Sequence, residues 1–256
     1  MKTYEDLVRE LSETVPMEEQ TTRSFPVEQR KQATARLTEL MRTIRPFSFL
    51  RLGDMELGLM LMAQTGADAG WTENDANEQM SSTARFAHPG LTMSYVERLR
   101  KSYENATYVD FHERWWINKG LNPLLQLDRP ADALRNNSDA ASHIFMDWLR
   151  YEFKGYTKGR RVLFAGGEAG MLQALWCRDA FRTAGASFID FSCEAFFEPD
   201  TGAIGDRLDE IKDRLYKRIV DDKIDTMFLS LGGAAKTVCA EIAGEKDVCC
   251  FDFGQG

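Results

Sequence analysis

From Arg160 onward, short apolar runs alternate with helical stretches, and this alternation restricts the chain to very few folds. "RRVLFAGG" reads as a strand, "AGMLQALWCRDAFRTAG" as a helix closed by Gly185, and "SFIDFSC" as another strand. "IGDRLDEIKDRLYKRIVDD" then places Leu208, Ile211, Leu215 and Ile219 on one face, the spacing of an amphipathic helix. "IDTMFLSLGG", "AAKTVCAEIAG" and "DVCCFDFG" follow as strand, helix and strand. Strands separated by helices cannot pair as tight hairpins. They form a mainly parallel sheet with helices on both faces, a Rossmann-like α/β fold. Right-handed crossovers bring the strand C-termini to one edge.

Two earlier runs extend the sheet. Residues 47–52, "FSFLRL", are short, aromatic and apolar, and "TYVDF" at 107–111 has the same character. The predicted strands are therefore 48–52, 107–111, 161–165, 187–192, 225–231 and 248–253. A helix is predicted from Val27 to Ile44, stopped by Pro46, and another from Glu56 to Ala63. Residues 65–106 read as mostly helix and loop, and "ASHIFMDWLRYEF" is the strongest helix between 112 and 160. Tyr4, Leu7, Val8 and Leu11 mark a separate apolar face, followed by the polar "PMEEQTTRSFP". Residues 1–25 thus form an accessory helix and linker, and 26–256 a single α/β domain. The accessory helix can pack on its own domain or on a partner subunit, which leaves a homo-oligomer open.

Composition removes some classes of function. A formal charge of -8 opposes a nucleic-acid phosphate footprint, though not a small phosphorylated ligand held by local groups. No run approaches the roughly 18 apolar residues of a membrane span, and "MKTYEDLVRELSETV" is too charged for a signal peptide. The five cysteines show no zinc spacing and their number is odd. Buried free thiols in a reducing cytoplasm account for them.

In open α/β sheets ligands bind outside the carboxyl ends of the strands. Asp54 and Glu56 follow the first strand there. They can cap a helix through their oxygens or hold a hard divalent cation. Gly232, Gly233 and Lys236 follow "TMFLSL". The glycines permit close approach of a ligand, and the helix start presents unpaired N–H groups to phosphate. His112 and Glu113 follow "TYVDF" and are candidates for a general base, or merely a polar loop. Gly166, Gly167, Glu168 and Glu194 reach the same edge. Trp115 and Trp116 suit a sugar face or a core. Asp252 ends the last strand, where it reads first as a local cap.

These segments resemble the GT-D type glycosyltransferases. "RLGDMEL" is similar to that family's arginine, glycine and D-x-E signature. "FLSLGGAAKTVCAEI" with "DVCCFDFG" is similar to its C-terminal strand, glycine loop, lysine-bearing helix and final strand. The likeness joins about 47–60 to 225–254, and Val162 to Phe197 follows more loosely. It implies a nucleoside-diphosphate sugar donor, a UDP-sugar first, and a glycan or other hydroxyl acceptor. It also implies a divalent metal, Mn²⁺ or Mg²⁺, held by Asp54 and Glu56. Arg51 and Gly53 would shape the loop, and Gly232, Gly233 and Lys236 would lie near the diphosphate. Two departures stand out: Met55 where glycine is common, and "GGAAK" where proline often follows the first glycine.

Two other readings compete. "VLFAGGEAG" loosely resembles the glycine-rich loop of S-adenosylmethionine-dependent methyltransferases, but the usual acidic residue at the end of its strand is missing. A non-catalytic interaction protein on the same scaffold would use Asp54 and Glu56 only as caps.

Overall fold

The computed structural model describes residues 27–52, 56, 60, 93–110, 144–167, 169–177, 183–191 and 204–252. The elements run α1 (Val27–Thr43), β1 (Phe47–Arg51), α2 (Met93–Asn105), β2 (Tyr108–Asp110), α3 (Ile144–Tyr151), α4 (Phe153–Thr157), β3 (Arg161–Gly166), α5 (Ala169–Cys177), β4 (Gly185–Asp190), α6 (Ile204–Asp222), β5 (Thr226–Ser230), α7 (Gly233–Glu245) and β6 (Cys249–Asp252). The proposed accessory helix, 1–25, lies outside the described residues. Among those described, no helix is long and apolar enough to cross a membrane.

The strands form one sheet in the order β2–β1–β6–β5–β3–β4, and every pairing is parallel. This is the α/β arrangement expected from the alternation. The strand order also shows where the connections part. From β3 the chain passes through α5 outward to β4, whereas from β5 it passes through α7 the other way to β6. The two right-handed crossovers therefore occupy opposite faces.

The faces differ in chemistry. Alternate strand residues Phe47, Phe49, Tyr108, Phe164, Phe228 and Phe251 form an aromatic slab with Phe145 and Trp148 of α3. Phe228 stacks on Phe251 at 5.0 Å and Phe49 on Phe145 at 5.0 Å between ring centroids. Trp148 is fully buried, and its indole N–H donates to Thr38 of α1 at 2.9 Å, so the ring's polar atom is satisfied. The opposite face is aliphatic: Leu50, Val109, Leu163, Met227, Leu229 and Cys250 pack under α2, α6 and α7. A parallel sheet covered on both sides must be apolar on both sides, which explains runs such as "TMFLS". Ala234, Ala235, Ala240 and Ala243 are all buried. Small side chains let α7 sit close against the sheet while α2 and α6 flank it.

Three details differ from the sequence reading. Gly185 opens β4; it does not close the preceding helix. A Cβ there would lie 3.2 Å from the Arg161 guanidinium, so the glycine makes room for the arginine of the paired strand. The helix expected through "ASHIFMDWLRYEF" divides at Glu152, a turn residue at φ -112° and ψ -26° that separates α3 from α4. Strand ends shift by one or two residues, a common fraying effect. Cys239, Cys249 and Cys250 are buried free thiols and Cys177 is exposed. Burial pushes the Cys239 and Cys250 thiols well up, so they stay protonated and inert.

Candidate functional site at the carboxyl edge of the sheet

Because all strands are parallel, β1, β6 and β5 release their chains at one edge. β1 and β6 are neighbours, and β5 lies next to β6. The chain leaving β1 passes Leu52 and becomes helical again at Glu56, which is buried. The chain leaving β5 turns at Gly232 into α7.

Lys236 lies one turn into α7 and points back at this edge. Its ammonium is 3.2 Å from Glu56 Oε1 and 3.1 Å from Asp252 Oδ2. A longer contact of 3.5 Å reaches the Gly232 carbonyl. Side-chain exposure is 8% for Lys236, 6% for Glu56 and 0% for Asp252, so all three charges sit inside the protein. Burying charge is tolerable only with such pairing. Burial pulls the Lys236 pKa down, but Asp252 and then Glu56 outweigh it, and the net shift is upward. The lysine is a permanent cation here. Asp252 Oδ2 also accepts the Arg51 backbone N–H at 3.2 Å, and the Tyr103 hydroxyl of α2 donates to the Arg51 carbonyl at 2.7 Å. The end of β1 is thus anchored from β6, α2 and α7.

The glycine loop has the conformation its sequence suggests. Gly232 adopts φ 56° and ψ -136°, a region that side-chain-bearing residues avoid. It lets β5 turn sharply into α7 and leaves the first N–H groups of α7 at the edge. A second glycine site occurs between β3 and β5, where the crossovers part. Gly166 has φ 152°, and a Cβ on it would stand 2.5 Å from the Ser230 carbonyl oxygen. Phe164, Ala165, Gly166, Ala169, Leu172, Phe228 and Ser230 line a small pocket beside it.

The other candidates from the sequence distribute as follows. Arg51 ends β1, half-buried and in register with Asp110 of β2. Gly233 is buried at the start of α7. Gly53, Asp54, His112, Glu113, Glu168, Glu194, Trp115 and Trp116 lie outside the described residues. Asp252, read from sequence as a local cap, instead joins the charged cluster. The available signal was its place inside the apolar run "VCCFDFG": a carboxylate on a central strand needs a cation partner. Asp110, buried at the end of β2, was likewise passed over.

The donor chemistry at this edge suits a hard cation. Glu56 offers carboxylate oxygen, and the cluster sets two carboxylates against one ammonium. Among the described residues, no group of three or more His, Cys, Asp or Glu is arranged to hold a metal by itself.

No family model matches the chain, and no curated protein matches it significantly. Solved structures do. One is described as "the highly conserved domain of unknown function 1792 has a distinct glycosyltransferase fold". It shares 13% identity, with a TM-score of 0.53 over 98% of this chain and 82% of that one. A selenomethionine-substituted structure of domain of unknown function 1792 matches at 12% identity and a TM-score of 0.52, again over 98% and 82%. The chain shares the fold of these structures. At such identity the likeness concerns architecture alone, and the chemistry rests on the residues at the edge of that fold.

Proposed function

We propose that the protein is a metal-dependent glycosyltransferase. It moves a sugar from a nucleoside-diphosphate sugar, a UDP-sugar first, to a hydroxyl acceptor such as a glycan. The observation that carries this reading is the buried meeting of Glu56, Lys236 and Asp252 beside the glycine-opened start of α7, in a glycosyltransferase-type fold. Such an edge combines acidic oxygen for a cation with backbone N–H groups for phosphate.

Asp54 and Glu56 would hold Mn²⁺ or Mg²⁺. When bound, the ion offsets the charge of the departing diphosphate. Gly232 and Gly233 leave room for phosphate oxygens at the α7 N-terminus, where the helix dipole and free N–H groups favour anions. Gly53 would help to shape the loop after β1, which starts from Arg51 at the strand's end. His112 or Glu113 would take the proton of the acceptor hydroxyl. Both follow β2 in sequence, and β2 is the strand paired with β1.

Calorimetric titration of UDP with and without Mn²⁺ tests the reading. Binding that requires Mn²⁺ supports it. Binding of S-adenosylmethionine without metal would favour a methyltransferase, and binding of neither would favour an interaction protein.

A further inference from the structure

We infer that Lys236 is a positioning residue for the donor site, acting through Glu56 and the Gly232 turn and not by touching phosphate. This rests on the glycosyltransferase reading and changes the role of one residue within it. An ammonium has three N–H donors and no acceptor. Here those donors face Glu56 Oε1 at 3.2 Å, Asp252 Oδ2 at 3.1 Å and the Gly232 carbonyl at 3.5 Å. Two short ion pairs and one longer contact engage the ammonium, and at 8% exposure it faces the protein and not the open edge.

What the lysine does instead follows from where its partners sit. Glu56 belongs to the segment after β1, Asp252 to β6 and Gly232 to the turn after β5. One cation therefore ties together three chain segments that leave the same edge. Asp252 is itself fixed by the Arg51 N–H at 3.2 Å, so the lysine is referenced to the sheet. Glu56 inherits that placement. Its carboxylate is held against a rigid point, and the glycine turn is held to the same point through its carbonyl. The two halves of the donor site, acidic and phosphate-facing, thus share one spacer.

Lys236→Arg separates placement from charge. Arginine keeps the positive charge, but its planar fork cannot converge on three acceptors around one nitrogen. UDP binding is titrated at rising Mn²⁺ by calorimetry, with thermal unfolding recorded for each protein. The expected result is a Mn²⁺ midpoint raised about 10- to 100-fold, the usual effect of losing an outer partner of a metal ligand. UDP affinity at saturating Mn²⁺ returns to the parent value, a rescue that a purely structural role or a direct phosphate contact would not give. Should Lys236→Arg fail to fold, Asp252→Asn carries the test, with a midpoint shift in the same direction. An unmoved midpoint in the folded variant, or a loss of UDP binding that Mn²⁺ never restores, overturns the inference. A parent protein that binds no UDP at any Mn²⁺ concentration removes the donor-site reading itself. A parent that binds while the variant matches its midpoint removes only this role of Lys236.

Discussion

Gly166 and Lys236 show how single residues set the terms at the edge of the sheet. At Gly166 a Cβ would meet the Ser230 carbonyl oxygen at 2.5 Å, and φ is 152°. Neither condition can relax without moving β3 from β5. Gly166→Ala should cost about 1–3 kcal/mol, the usual range for a residue forced into such backbone geometry. Differential scanning calorimetry checks it: at this chain length each kcal/mol lowers Tm by about 2–4 °C. Lys236→Met should be harsher, roughly 3–5 kcal/mol, because it strands buried carboxylates. Adding Asp252→Asn to Lys236→Met should recover part of that loss, since one of the stranded charges is gone. A double-mutant cycle by urea unfolding measures the coupling, and strict additivity would contradict the ion-pair geometry. The sequence exposes half of this. "SLGGAAK" and "GDME" mark the edge because strand ends and glycines are local signals. That Lys236 reaches Glu56 and Asp252 is a matter of how α7 lies across β1 and β6, and no local pattern encodes it.

At the scale of elements, one ion network joins the three helices of the aliphatic face. Arg98 of α2 donates to both oxygens of Glu241 on α7, at 2.5 Å and 2.7 Å, and to Asp209 of α6 at 2.7 Å. Lys212 of α6 reaches Glu241 at 3.1 Å and Glu245 at 2.5 Å, and the Tyr216 hydroxyl also bonds Glu245. Burial raises the Glu241 pKa, but Arg98 and Lys212 outweigh it and the net shift is downward. The sign for stability follows. As pH falls, the unfolded chain takes up this proton first, near the ordinary glutamate value of about 4.3. Stability is therefore full above that value and is lost as pH drops towards the lower folded pKa. Glu241→Gln should flatten the acid limb of a stability–pH curve and lower stability at neutral pH by about 1–3 kcal/mol, the scale of charged hydrogen bonds. An unchanged acid limb would count against the network. Strands were the most legible elements, because a doubly covered parallel sheet writes itself as apolar runs. Gly185 was misread as a helix end because glycine marks both helix ends and close strand packing. Only the tertiary position of Arg161 tells the two apart.

For the whole molecule, parallel strands and two opposed crossovers bring Glu56, Lys236, Asp252 and the Gly232 turn to one edge. The class of fold was readable from the alternation after Arg160, and the likeness to solved structures of domain of unknown function 1792 concerns that fold. The donor, the acceptor and the catalytic base are not written in strand order, because they depend on side chains in the loops that the scaffold carries. The central claim is that the acidic pair serves a metal-bound diphosphate and is not simply a helix cap. Asp54→Asn separates these roles, since asparagine caps a helix about as well as aspartate but removes a charge from the cation. The deciding measurement is calorimetric titration of UDP, in Mn²⁺, into the parent and this variant, with Tm recorded for both. The expected result is Mn²⁺-dependent binding by the parent, weakened at least about tenfold in the variant, at nearly equal Tm. Equal UDP affinity in the two proteins, or parent binding that survives removal of Mn²⁺, would contradict the account.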